Sequence, residues 1–141
     1  MAEEREQRRS NEPRLHTALG VEVESVGGGV AVYRVTRVPA SEAGIDGGEV
    51  GAVSSFVVTT VADLALVSAV SSAIDSAREV MNGTAEMNLT YLALPRGEVT
   101  VRGEVIERGA AMAVVDVIAS DEDGSVIARG RGTYAIRATA A

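Results

Sequence analysis

One carboxylate, Asp63, stands inside the uncharged run GAVSSFVVTTVADLALVSAVSSAI, which extends from Gly51 to Ile74. A run of this length and composition reads as a helix buried on nearly all sides. An ionised carboxylate in such a helix is costly unless it is paired or hydrogen-bonded. Asp63 therefore either has local partners or faces a cavity where polar chemistry takes place. Thr59 and Thr60, one turn earlier, are candidate partners, as are a strand N–H or a water. A carboxylate facing a cavity can take a proton from water or attack an electrophile itself.

Other chemically capable residues are few. Ser54, near the start of the run, has the side chain of a good N-cap. The many serines form no Gly-x-Ser-x-Gly nucleophile motif. The chain has no Cys and one His, His16, which excludes thiolate metal sites and argues against an all-protein zinc site. His16 reads as a surface or tail residue. Asp121-Glu122-Asp123-Gly124 resembles the start of a calcium loop, but the later ligands, including the terminal Glu, are missing. It reads as an ordinary hairpin turn. Neither a metal nor a cofactor is expected.

The elements that would hold these residues are legible from alternation and turns. VEVESV (21–26) and VAVYRVTRV (30–38) alternate apolar and polar residues around Gly27-Gly28-Gly29 and form a hairpin. Residues 39–50 form a loop centred on Asp46-Gly47-Gly48. The apolar helix follows, and Asn82-Gly83 breaks the pattern after it. Four further strands are expected at 85–93, 98–107, 111–120 and 125–137. Turns at Pro95-Arg96-Gly97, Arg108-Gly109 and 121–124 separate them. In the last strand, Gly130 and Gly132 share a face with Ala128, Tyr134 and Ile136. Two glycines on an inward face suggest close approach of another backbone, with the helix as the obvious candidate.

The chain of 141 residues is one domain by length, with residues 1–13 a charged, flexible tail and 14–141 the folded body. Its net charge is −7, and all 13 basic residues are Arg, so a nucleic-acid partner is not expected. The polar N-terminus does not read as a secretory signal. Asp63 and several Ser and Thr argue against a membrane span in the apolar run. A soluble, cytoplasmic protein is expected. Strand, strand, helix and four strands are satisfied by an α+β domain in which one long helix is wrapped by a single antiparallel sheet of about six strands. A helix apolar on so many sides is more than one sheet can cover, which points to a homo-oligomer, most simply a two-fold dimer.

This layout resembles the hotdog fold, and the chain is similar to its PaaI-like acyl-CoA thioesterases. Three stretches carry the resemblance: LGVEVESVGGGVAVYRV (19–35), GEVGAVSSFVVTTVADLALVSAV (48–70) and the strands from Met87 to Ile136. The family pattern is Asn, two residues, Gly, two residues and His-Gly-Gly, with an acidic residue seven positions after the second Gly. Laid on this sequence without gaps, the acid falls on Asp63 and the first Gly on Gly51. Gly48 stands at the Asn position, Ser54 at the His, and Ser55 and Phe56 at the paired glycines. Ala110 and Ala111 follow Arg108-Gly109, where PaaI-like proteins often carry a basic residue near the nucleotide end of CoA.

The resemblance implies hydrolysis of an acyl-CoA or related thioester in a homodimer or homotetramer, with Asp63 as general base or nucleophile. Backbone N–H groups at the helix start, around Ser54, Ser55 and Phe56, would stabilise the oxyanion. The loop with Asp46, Gly48 and Gly51 would come from the partner subunit and contact substrate, with Asp46 or Glu49 supplying a second polar group. A Phe where the family has Gly places a ring where the thioester approaches. The competing expectation is a non-catalytic hotdog module that binds an acyl thioester or another apolar small molecule. A hotdog hydratase would want an Asp and a His in one short motif, which this chain lacks.

Overall fold

The computed structural model describes residues 19–36 and 53–140. The expected N-terminal tail, His16 and the loop residues Asp46, Gly48, Glu49 and Gly51 lie outside the described residues. Within them the chain forms β1 (Val21–Gly27), β2 (Val30–Val35), α1 (Ser55–Ser71), β3 (Glu79–Tyr91), β4 (Val99–Arg108), β5 (Met112–Ser120) and β6 (Val126–Ala138). The six strands make one antiparallel sheet in the order β1-β2-β4-β5-β6-β3. This is the expected helix on a single sheet.

Alternation explains the strands. In β5, Ala113, Val115, Val117 and Ala119 are buried, while Val114, Asp116, Ile118 and Ser120 lie on the outer face. Tyr33 and Val35 of β2 join them in the core. The β1–β2 turn docks on the C-terminal end of α1: the Gly29 N–H donates to Ser72 Oγ at 2.9 Å. Ser72 in turn caps the helix, its N–H reaching Ser68 O.

The helix corrects one expectation. It runs from Ser55 to Ser71, shorter than the apolar run, and only one side of it is buried in the protomer. Val57, Val58, Val61, Ala62, Ala65, Leu66, Ala69 and Val70 form that side. Thr59, Thr60, Asp63, Leu64, Val67 and Ser68 are only half-buried. The composition is apolar almost all round, but one sheet covers one stripe. Among the described residues no helix is long and apolar enough to cross a membrane.

The close approach of helix and sheet occurs elsewhere than expected. It is Gly103 of β4 that lies against the helix backbone: a Cβ there would sit 2.8 Å from Ala65 O. Gly132 instead makes room for the Leu66 side chain, and Gly130 for the backbone of β3 at Asn88.

A second correction concerns Asn82-Gly83, which does not end anything. Strand β3 runs straight through it, with irregularities in its pairing to β6 between Met81 and Gly83 and again between Thr84 and Glu86. Gly83 has φ 131°, a conformation essentially reserved for glycine. Across from the inward residues of β6, Met81 faces Ile136, Thr84 faces Tyr134, Met87 faces Gly132, Leu89 faces Gly130 and Tyr91 faces Ala128. The helix-facing row of β3 is therefore Met81, Thr84, Met87, Leu89 and Tyr91. Simple alternation back from Tyr91 would have placed Ala85 and Gly83 there instead.

Candidate active site

Asp63 lies on the half-buried side of α1 that faces the edge strand β3. Thr84 Oγ1 donates a hydrogen bond to Asp63 Oδ1 at 2.9 Å. It is the one hydrogen-bond partner of Asp63 among the described residues. Thr59 and Thr60, the expected partners, are occupied elsewhere: their hydroxyls donate back to Ser55 O at 2.8 Å and to Phe56 O at 3.0 Å. Threonine in a helix interior commonly bonds the carbonyl one turn behind, which removes it as a donor to a neighbour further along. The carboxylate is thus neither deeply buried nor held by its own helix.

The helix start is built by Ser54. Its backbone is extended (φ −78°, ψ 152°), and its hydroxyl accepts the N–H of Val57 at 3.3 Å. Ser54 thereby takes one first-turn donor for the fold. The N–H of Phe56 also belongs to the first turn, where helix geometry supplies no acceptor and the helix dipole is positive. The Phe56 side chain is 62% exposed and stands away from the core. Phe56, Thr60, Asp63 and Val67 follow helical spacing, so the ring and the carboxylate share one stripe.

Tyr91, the last residue of β3, closes the other flank of the helix start. Its hydroxyl donates to Ser55 O at 3.1 Å and contacts Thr59 Oγ1. Burial pushes the phenol above its ordinary pKa and keeps it a neutral donor. Beside it opens an apolar groove of about 450 Å³, lined by Ser55, Val58, Tyr91, Leu92, Leu94 and Ile127. Residues Ser54, Ser55 and Phe56 thus gather at one helix end, next to an apolar groove, as a single cluster. Asp63 does not join them: eight residues of helix separate it from Ser55, a rise of about 12 Å. A reacting carbonyl must lie about 3 Å from both the carboxylate and an oxyanion donor, so one protomer does not bring its own Asp63 and its own helix start onto the same carbonyl.

Sequence reasoning missed Thr84 and Tyr91. Tyr91 had a signal, since Met87, Leu89 and Tyr91 alternate within the expected strand. Thr84 had none, because its place depends on the irregularities that flank it.

A thioesterase-superfamily model matches residues 52–128, more than half of the chain. Among solved structures, a mutant of a Staphylococcus aureus thioesterase superposes with a TM-score of 0.75 at 21% identity, over 89% of this chain and 99% of that one. A conserved protein from Pseudomonas aeruginosa gives 0.72 at 24% identity, over 92% and 98%. The PaaI protein of the E. coli phenylacetic acid degradation operon gives 0.71 at 18% identity, over 99% and 94%. No curated protein matches the chain. The family model and the shared topology together establish that this chain belongs to the thioesterase superfamily and has its hotdog fold.

Proposed function

We propose that the protein is a thioesterase acting on an acyl-CoA or related acyl thioester, with Asp63 as general base or nucleophile. The observation that carries this reading is the setting of Asp63: a lone carboxylate on an otherwise uncharged helix, oriented by Thr84 and left accessible. As base, Asp63 takes a proton from water, whose oxygen attacks the thioester carbonyl carbon. The tetrahedral intermediate collapses by breaking the C–S bond, and the proton on Asp63 goes to the departing thiolate, leaving acid and thiol. As nucleophile, the carboxylate attacks that carbon, releases the thiolate and forms an anhydride that water then hydrolyses. The developing oxyanion would lie against first-turn N–H groups near Phe56, and the apolar groove beside Tyr91 would take the acyl chain.

The separation of about 12 Å between Asp63 and its own helix start supports a homodimer in which each site combines Asp63 of one protomer with the helix start of the other. The loop positions Asp46, Gly48 and Gly51 would complete the site as substrate contacts from the partner.

A panel of acyl-CoA substrates with free-thiol detection tests the reading. Asp63→Asn should lower turnover about 100-fold or more, the usual scale of a general base. Turnover by the variant equal to that of the parent would remove Asp63 from the chemistry. A second reading, a module that binds acyl thioesters without cleaving them, is favoured by Ser54, Ser55 and Phe56 in place of His-Gly-Gly. It predicts a raised melting temperature with acyl-CoA and no thiol release.

A further inference from the structure

We propose that the outer face of the sheet carries a binding site for a small organic carboxylate, built on Arg129 and Arg131 of β6. The site lies on the side of the sheet away from α1. It does not use Asp63 and does not depend on the thioesterase reading. The register sets out its parts in two neighbouring rows: Ile118 of β5, Arg129 and Thr90 of β3 form one, and Asp116, Arg131 and Asn88 form the next. All six point away from the helix, because they alternate with the inward residues Val117, Ala128, Gly130 and Leu89. Together they line a groove of about 460 Å³.

The charges in this groove do not cancel. Arg131 Nε donates to Asp116 Oδ1 at 2.7 Å, which neutralises one guanidinium. Elsewhere on the outer face, Arg34 holds Glu22 and Arg102 holds Glu104, each at 2.7 Å. Arg129 has no carboxylate partner among the described residues, and neither the Asn88 amide nor the Thr90 hydroxyl has a hydrogen-bond partner among them. The groove thus has one surplus positive charge, on a chain whose net charge is −7. A guanidinium offers a planar fork of N–H groups that matches the two oxygens of a carboxylate. Arg129 supplies that fork, and Asn88 and Thr90 on the neighbouring strand supply neutral donors. Ile118, half-buried beside Arg129, gives the apolar body of the ligand a surface to lie on. One negative charge balances the surplus, whereas a phosphate dianion would press a second charge against Asp116. Pairing of the β3 edge with another chain would use backbone groups and leave the side chains of Asn88 and Thr90 in the groove.

The test is an NMR titration of the intact chain at pH 7 with sodium butyrate, against sodium phosphate and sodium chloride at matched ionic strength. Butyrate should give saturable shifts at the backbone amides of Asn88, Ile118 and Gly130, with a Kd of about 1 mM or tighter. Arg129→Gln, a change at an exposed position, should weaken binding at least about 10-fold. Arg129→Lys, which keeps the charge but not the fork, should weaken it less. Arg34→Gln, at an arginine three strands away, should leave it unchanged. Butyrate binding should also be unaltered in Asp63→Asn, whether or not the parent hydrolyses any thioester. Tighter saturation of the same amides by phosphate than by butyrate would overturn the carboxylate assignment. Linear shifts equal to those with chloride would reduce the groove to a site for an adventitious ion only. Shifts confined to Val58, Leu92 and Leu94 would put the acid in the groove beside Tyr91, and a smaller assembly of Arg129→Gln in sedimentation would make this face a contact between copies. Either result would overturn the proposal.

Discussion

At the scale of single residues, Asp63 and Ser54 illustrate two kinds of legibility. Asp63 was visible because a charge in an apolar run is energetically conspicuous. Its partner was not, because the nearby candidates Thr59 and Thr60 are satisfied by their own helix carbonyls, and the true donor lies 21 residues away. Ser54 was visible as a cap because capping is a local interaction, reaching only Val57. The cap predicts a stability effect separable from catalysis. Ser54→Ala should lower the unfolding free energy by about 1 kcal/mol in denaturant titration. If Ser54 also served the chemistry, kcat would fall by more than the lost cap explains.

At the scale of elements, alternation located all six strands, and β5 follows it without exception along its inner face. The helix was found but misjudged in its environment, since an apolar sequence does not say which of its sides is covered within one protomer. Strand β3 shows where local reading stops. Asn-Gly is a strong turn signal, yet here the pair forms a bulge inside a 13-residue strand. Nothing surrounds Gly83 closely, so an added Cβ would meet space, and the strain would come from φ 131° alone. Gly83→Ala should therefore destabilise the protein by about 1–3 kcal/mol, read from its melting transition. An unchanged melting temperature would show that the bulge relaxes without cost.

At the scale of the whole molecule, among the described residues the sheet ends on β1 and β3, and β3 leaves a long edge with unpaired backbone groups. Long open edges invite pairing with another chain. The half-buried side of α1 and the exposed Phe56, Leu92 and Leu94 lie toward the same side as the candidate site. The helix distance adds a functional reason for association, because Asp63 and its own helix start are too far apart to share one carbonyl. Sedimentation should find a dimer or tetramer at micromolar concentration. Specific activity should fall on dilution in step with the dimer fraction. A monomer with full activity would require a site built within one chain.

Strand alternation, most turn residues, the apolar helix and the isolated acid were determined by the sequence itself, because each depends on neighbours a few positions away. The tertiary structure alone decided that Thr84 meets Asp63, that Gly103 and not the glycines of the last strand lies against the helix backbone, and that Tyr91 flanks the helix start. Each of those outcomes depends on the register between strands distant in the chain. A one-residue shift in such a register moves a side chain to the opposite face of the sheet, and no local pattern in the residues around Asn82-Gly83 encodes that shift.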